Sequence, residues 1–131
     1  MLTLGDLSDR SEKDIFNHLV KEYTAPANIC HLYKIHIAYE SVGDYGCDST
    51  SFFLLEDIST NKLFTVYGSH CSCNGFENQF DLEETSLNYL NSNSFYLIAG
   101  GYDNASEVHK SLTKAYLKEM LDEKIVDKQE S

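Results

Sequence analysis

The fold is decided by the stretch SFFLLEDISTNKLFTVY, which runs from Ser51 to Tyr67. Residues Phe52–Leu55 are apolar at every position, so both faces of an extended chain are apolar there, which is typical of a central strand. Residues Ser59–Lys62 have turn-forming side chains, and Leu63–Tyr67 form a further strand-like run. Because the connection is short, the stretch predicts an antiparallel hairpin.

Another strand is predicted upstream of the hairpin, from His31 to Glu40. Apolar and polar residues alternate there, which is typical of a strand with one buried side and one side that faces solvent. The residues expected on the buried side are Tyr33, Ile35, Ile37 and Tyr39. The apolar run from Phe95 to Ala99, which ends at Gly100, predicts one more short strand.

Helices are predicted on either side of these strands in the sequence. The first begins after Ser11, with Asp14 in the position of the acidic half of a capping box. It ends at the segment 24–28, which contains the only proline of the chain. A short helix is expected from Asp81 to Leu90, because Asp81 and Glu84 have the spacing of a helix cap.

The final helix is expected to begin at Asp103, Asn104 or Ser106, since each can accept a hydrogen bond from a helix N-terminus. Its main apolar face consists of Val108, Leu112, Ala115, Tyr116 and Met120. Leu117 and Leu121 fall on the opposite side of the helix. They would form either a partly buried flank or a surface for self-association.

The elements follow one another in the order α-β-β-β-α-β-α, which predicts the α+β class. We expect an antiparallel sheet of three to four strands with flanking helices on one face, giving two layers. The length of 131 residues fits a single domain spanning residues 1–131. A polar tail is expected over residues 126–131.

The balance of charge narrows the range of possible partners. The chain has 21 acidic and 10 basic residues, a formal net charge of −11. Direct nucleic-acid binding is not expected, because it relies on Lys and Arg to neutralise phosphates.

No apolar stretch approaches the length of a membrane span, and the N-terminus lacks signal-peptide features. We expect a cytoplasmic protein, in which the four cysteines are thiols or metal ligands.

The acidity is concentrated between residues 44 and 84, where eight acidic residues accompany the single basic residue Lys62. The chain also has nine tyrosines, whose apolar ring and polar tip suit protein interfaces. This combination predicts a face that binds a partner with a basic surface, since opposite charges accelerate association. The residues expected on this face are Asp44, Tyr45, Asp48, Glu77, Asp81, Glu83 and Glu84.

A cluster of possible metal ligands lies in the same part of the chain, in the run GSHCSCNGFE from Gly68 to Glu77. If the predicted hairpin forms, Cys47 lies just before its first strand and His70 just after its second. The hairpin would therefore bring Cys47 close to His70, Cys71 and Cys73. Zinc prefers four tetrahedral nitrogen and sulfur ligands, so these four residues predict a zinc site.

Two other interpretations of the cluster stay open. In the first, the cysteines are small, semi-buried side chains that pack beneath a loop. In the second, Cys71 or Cys73 is a nucleophile and His70 is its base. A reactive thiol needs a lowered pKa, and the many acids nearby act in the opposite direction. A catalytic role is therefore not the expected one.

The run GSHCSCNGFENQF, from Gly68 to Phe80, is preceded by Gly46–Asp48 and by Phe52–Asp57, and is followed by Glu83–Thr85. Together these segments resemble a group of small uncharacterised phage and prophage proteins. Those proteins carry the pattern G-S-H-C-S-C-x-G-hydrophobic-E-x-Q-aromatic, and this chain has Phe80 where a Trp is expected. The resemblance implies a phage or phage-like origin and no particular chemistry.

These features together predict a small acidic phage-type protein that binds a host factor in the host cytoplasm and inhibits or redirects it. A nucleic-acid-handling protein of defence or transcription is the expected target, because such proteins present basic surfaces. The alternative is a zinc-binding or thiol-dependent enzyme centred on the Cys/His cluster. A further alternative is a homo-oligomeric structural protein that uses Leu117 and Leu121.

Overall fold

The computed structural model describes residues 1–41, 49–70, 75–95 and 105–130. Within these ranges the strands are β1 (Leu2–Gly5), β2 (Tyr33–Ser41), β3 (Ser49–Asp57), β4 (Leu63–His70) and β5 (Glu83–Thr85). The helices are α1 (Glu12–Tyr23), α2 (Ile29–Leu32), α3 (Leu87–Leu90) and α4 (Ala105–Glu130). The α+β class is confirmed, and α4 includes residues 126–130, for which the sequence predicts a polar tail.

All five strands form one sheet in the order β1-β2-β3-β4-β5. The predicted hairpin is confirmed, since β3 and β4 are antiparallel neighbours in which Phe52 pairs with Tyr67.

The prediction of a purely antiparallel sheet with three to four strands is wrong, because the sheet has five strands and β1 is parallel to β2. Parallel neighbours need a crossover connection, and α1 lies within that connection. The Leu2–Gly5 segment is too short to show a strand period in the sequence.

Helices cover both faces of the sheet, so the prediction of two layers is wrong. On one face, Phe16 and Leu19 of α1 pack with Phe53 and Leu55 of β3. On the other face, side chains of α3 and α4 pack with the alternate residues of β3; these are Leu87, Leu90, Leu117, Phe52 and Leu54. The reason is visible in β3, whose apolar residues face both ways and need cover on both sides.

A bulge in β2 changes which residues share a face. The pairing of β2 with β3 shifts between Ile35 and Ile37, and such an extra residue breaks the simple alternation of a strand. Ile35 consequently packs on the α1 face, whereas Ile37 and Tyr39 pack on the α4 face. The prediction that these residues lie on one side of a half-buried strand is therefore wrong.

The predicted start of α1 is confirmed, because the Ser11 hydroxyl accepts a hydrogen bond from the Asp14 backbone N–H at 3.2 Å. The predicted helix from Asp81 to Leu90 is wrong over its first half, where Glu83–Thr85 forms β5 beside β4. The helix begins only at Leu87, and Ser86 caps it. The predicted strand at residues 95–99 lies outside the described residues from residue 96 onwards.

The buried side of α4 matches the predicted face only in part: Tyr116 and Met120 of that face pack against the core, and so do Leu117 and Leu121, which are predicted on the opposite side. Leu117 is fully buried at 0% exposure, whereas Leu112 of the predicted face is 46% exposed. Thr113, one turn before Leu117, is buried as well. Leu117 is therefore a core residue and not part of an exposed face.

Candidate functional site

An open groove of about 560 Å³ lies at the edge of the sheet, between β4, β5 and the start of α3. We call it the edge groove, and its lining residues are Thr65, Tyr67, Glu83, Glu84, Thr85, Ser86 and Tyr89. The groove lies along β5, a short strand at the edge of the sheet in which Glu83 pairs with Thr65. Acidic side chains on such an edge keep it from pairing with other strands.

Two tyrosines accompany the carboxylates of the edge groove. Burial raises the pKa of Tyr67 to about 12, and the charges of Tyr89 and Glu83 add to this effect. The ring of Tyr67 is also held against Phe52, with 5.3 Å between the ring centroids. Tyr89 is 48% exposed, so its ring is open to a partner.

This arrangement suits a positively charged group. A cation that enters the edge groove can approach the carboxylate of Glu83 and the ring of Tyr89, and both kinds of contact attract it. Glu84 lies 3.7 Å from the Lys62 ammonium, and both side chains are exposed. Exposed pairs of this kind are worth little, so a partner's Lys or Arg can replace Lys62.

The structure describes only part of the predicted partner-binding face. Glu83 and Glu84 are together in the edge groove, while Glu77 and Asp81 are exposed on the chain that leads into β5. The remaining predicted residues lie outside the described residues, and they are Asp44, Tyr45 and Asp48.

For the Cys/His cluster, the structure describes the supporting hairpin and not the ligands. Ser49 at the start of β3 pairs with His70 at the end of β4, which confirms the register on which the zinc prediction depends. Cys47, Cys71 and Cys73 lie outside the described residues, and so does the side chain of His70. Among the described residues no group of three His, Cys, Asp or Glu side chains could hold a metal ion.

One side chain joins the chain on both sides of residues 70–74. The Gln79 Oε1 atom accepts a hydrogen bond from the Ser69 N–H at 2.7 Å. Its Nε2 atom donates to the Ser69 carbonyl at 2.7 Å and to the Gly75 carbonyl at 3.1 Å. The carboxamide therefore pairs with Ser69 as a neighbouring strand would, and it also holds Gly75 in place. We call this set of three hydrogen bonds the Gln79 clamp.

Below the Gln79 clamp, the chain is packed tightly against α1. The rings of Phe76 and Tyr23 are stacked, with 4.6 Å between their centroids. A Cβ atom at Gly68 would lie 2.9 Å from each of these rings and 2.4 Å from the Ser51 hydroxyl. Only glycine fits this position, so Gly68, Phe76 and Gln79 of the phage-like pattern each have a structural role.

Tyr23 also belongs to a buried polar network that the sequence did not reveal. The Tyr23 hydroxyl donates a hydrogen bond to Glu40 Oε2 at 2.8 Å, and His18 Nε2 lies 2.7 Å from the same oxygen. Glu40 is only 6% exposed, although strand alternation predicts that it faces solvent. Burial, followed by the charge of Glu40, raises the pKa of Tyr23 far above its ordinary value.

A second imidazole–carboxylate pair lies on the α4 face of the sheet. His36 Nε2 is 2.7 Å from Glu56 Oε1, and both side chains are largely shielded from solvent. Lys34, His36 and Glu56 line one cavity on this face, as expected from the alternation of positions 34 and 36 and from the pairing of Lys34 with Glu56. Neither pair could be found from sequence spacing, since 20 residues or more separate the partners.

A scan against protein-family models finds no match, and searches of curated proteins and of solved structures find none either. The resemblance to phage proteins therefore stays a prediction. Among the described residues, no helix combines the length and the apolar character that crossing a membrane requires.

Proposed function

We propose that this chain is a binding protein that engages a partner with a basic surface through the edge groove. The observation that carries the proposal is the position of Glu83 beside Tyr67 and Tyr89 in one open groove, with Glu84 next to it in β5 on the opposite face of the sheet. A Lys or Arg side chain of the partner would lie between the carboxylate of Glu83 and the exposed ring of Tyr89, and Glu84 would add attraction from the other side of β5. Contact between a cation and an aromatic ring contributes about 0.5–2 kcal/mol, depending on how far it is desolvated.

The charge of the whole chain supports the same proposal. The net charge of −11 attracts a basic partner over a distance and raises the association rate. Glu77 and Asp81 would extend the contact beyond the edge groove, and we assign Asp44, Tyr45 and Asp48 to the same face. The proposed partner is a nucleic-acid-handling host protein, which this phage-type chain inhibits or redirects in the host cytoplasm.

We expect the double substitution Glu83→Gln/Glu84→Gln to weaken binding of an arginine-rich peptide of 12 residues at least about tenfold, the equivalent of 1.4 kcal/mol. The reason is that the two carboxylates carry the local attraction while the amides keep the size of the side chains. Fluorescence anisotropy at 0.1 M salt measures the affinity of the labelled peptide.

The matched control is Glu22→Gln/Asp122→Asn, which makes the same change in net charge at two exposed positions away from the edge groove. It should change the affinity less than twofold. Equal losses in the two double variants would mean that only the net charge attracts the peptide, and the edge groove would then not be the site. Tyr89→Ala should also lower the affinity for the peptide, because it removes the exposed ring.

A second proposal concerns the Cys/His cluster, and the Gln79 clamp favours it. We propose that Cys47, His70, Cys71 and Cys73 bind one structural zinc ion, because the clamp fixes the backbone at Ser69 and Gly75, on both sides of three of the four ligands. A closed site with four protein ligands leaves no position for a substrate. This zinc ion would therefore stabilise the chain and not catalyse a reaction.

Protein purified without a His tag should contain about one zinc ion per chain by elemental analysis. Cys71→Ser and Cys73→Ser should each lose it, whereas Cys30→Ser, at an exposed free cysteine, should retain it. Gln79→Ala should lower the zinc affinity, since the backbone on both sides of the ligands would lose its clamp. Wild-type protein without zinc after refolding in excess zinc would contradict the proposal.

A further inference from the structure

A groove of opposite charge runs along α4, and we call it the lysine groove. Its volume is about 510 Å³, and its walls include Lys110, Lys114 and Lys118 of α4 and the turn at Ser92 after α3. The volume falls within the range of small-molecule sites, which is roughly 300–1,000 Å³. The chain has a net charge of −11, so three lysines in one groove form a local concentration of positive charge.

The spacing of the lysines places them in one row. They follow one another at intervals of four residues, so they lie on the same side of the helix, about 6 Å apart along its axis. Like charges at this spacing destabilise a helix unless an anion compensates them. Lys110 has such a partner, since Glu107 lies 3.6 Å away. Among the described residues, no ion pair of Lys114 or Lys118 is found within 4 Å.

A buried hydroxyl in the same groove provides an independent observation. Thr113 lines the groove and is only 1% exposed. Its Oγ1 atom has no hydrogen-bond partner among the described residues. A buried polar atom without a partner is unfavourable, and a threonine inside a helix usually bonds to a backbone carbonyl instead. An acceptor oxygen bound at this wall of the groove would satisfy the hydroxyl after a small shift of the wall.

We propose that the lysine groove binds a diphosphate group. Lys114 and Lys118 would contact one phosphate each, because lysine ammonium groups are common phosphate ligands and long side chains one helical turn apart can converge on neighbouring groups. Thr113 would donate a hydrogen bond to a phosphate oxygen. Glu107 at the Lys110 end of the groove repels further negative charge, so the ligand is short and not a nucleic-acid strand. This site is independent of the edge groove and of the proposed function.

The test is titration calorimetry of the full chain with inorganic pyrophosphate. Wild-type protein should bind it, and Lys114→Gln/Lys118→Gln should lower the affinity at least about tenfold. The control Lys13→Gln/Lys21→Gln makes the same change in charge at exposed positions of α1 and should change the affinity less than twofold. No binding at 5 mM pyrophosphate, or equal losses in both double variants, would overturn the proposal.

Two additional measurements separate the diphosphate from other sources of affinity. Adenosine diphosphate should bind about as well as pyrophosphate and adenosine should not bind, because only the diphosphate is recognised. Binding of adenosine, or nucleotide binding that survives Lys114→Gln/Lys118→Gln, would overturn the proposal. Thr113→Val should weaken the binding of pyrophosphate several-fold. It should also raise the melting temperature of the free protein, since it removes a buried hydroxyl without a partner. Unchanged pyrophosphate affinity in this variant would overturn the proposal, because Thr113 would then not belong to the binding site.

Discussion

Leu117→Ala is expected to lower the free energy of unfolding by about 2–5 kcal/mol, the usual cost of removing a buried leucine side chain. Leu117 is fully buried in the core between α4 and the sheet, where it packs in one cluster with Phe52, Leu54 and Leu90. The alanine leaves a cavity there, because closely packed neighbours relax only partly. Urea denaturation followed by circular dichroism measures the change.

The matched control is Leu112→Ala, which removes the same atoms from a side chain that is 46% exposed. It should change the free energy of unfolding by less than about 0.5 kcal/mol, as surface substitutions usually do. The contrast matters because the apolar pattern of the sequence places Leu112 in the core and Leu117 on the far side. A larger loss at Leu112 than at Leu117 would mean that α4 packs in the predicted orientation after all.

The sequence was informative wherever one local signal determined the structure. The hairpin of β3 and β4 follows from an apolar run, a turn and a second run in immediate succession. The start of α1 follows from Ser11 three residues before Asp14, a pair that acts within one helical turn.

The sequence was misleading wherever a distant part of the chain decided the outcome. The sequence around Glu83–Thr85 resembles the start of a helix. It forms β5 instead, because the open edge of β4 supplies hydrogen-bond partners for its backbone. The bulge at Ile35–Ile37 has no signature in the alternation of apolar and polar residues, and it decides which face each side chain occupies. Helix α4 buries the polar Thr113 as well as Leu117, which the apolar pattern of this helix does not predict.

The candidate sites also combine features that the sequence reveals with features that only the fold brings together. The acidity of residues 77–84 is visible in the sequence, and the edge groove contains two of the acids. The tyrosines that accompany them could not be assigned in advance, because Tyr67 comes from β4 and Tyr89 from α3. The contact of Tyr23 with Glu40 was also invisible, since it requires α1 to lie over the end of β2.

Tyr23→Phe is expected to lower the free energy of unfolding by about 1.5–3 kcal/mol at pH 7, the usual contribution of a hydrogen bond to a charged group. The phenylalanine keeps the stack on Phe76 and the edge contact with Phe53. It removes the hydroxyl that donates to the buried carboxylate of Glu40. The control Tyr89→Phe removes an exposed hydroxyl and should cost less than about 0.5 kcal/mol.

The effect of Tyr23 should also depend on pH in the alkaline range. The fold raises the pKa of Tyr23 above its ordinary value of 10.0, so above pH 10 the unfolded chain releases this proton while the folded chain keeps it. The free energy of unfolding then falls by up to about 1.4 kcal/mol per pH unit for this tyrosine. Tyr67, with its pKa raised to about 12, adds a smaller loss between pH 10 and 12. Urea denaturation between pH 8 and pH 11 should show the gap between wild type and Tyr23→Phe closing above pH 10, and a constant gap up to pH 11 would contradict this account.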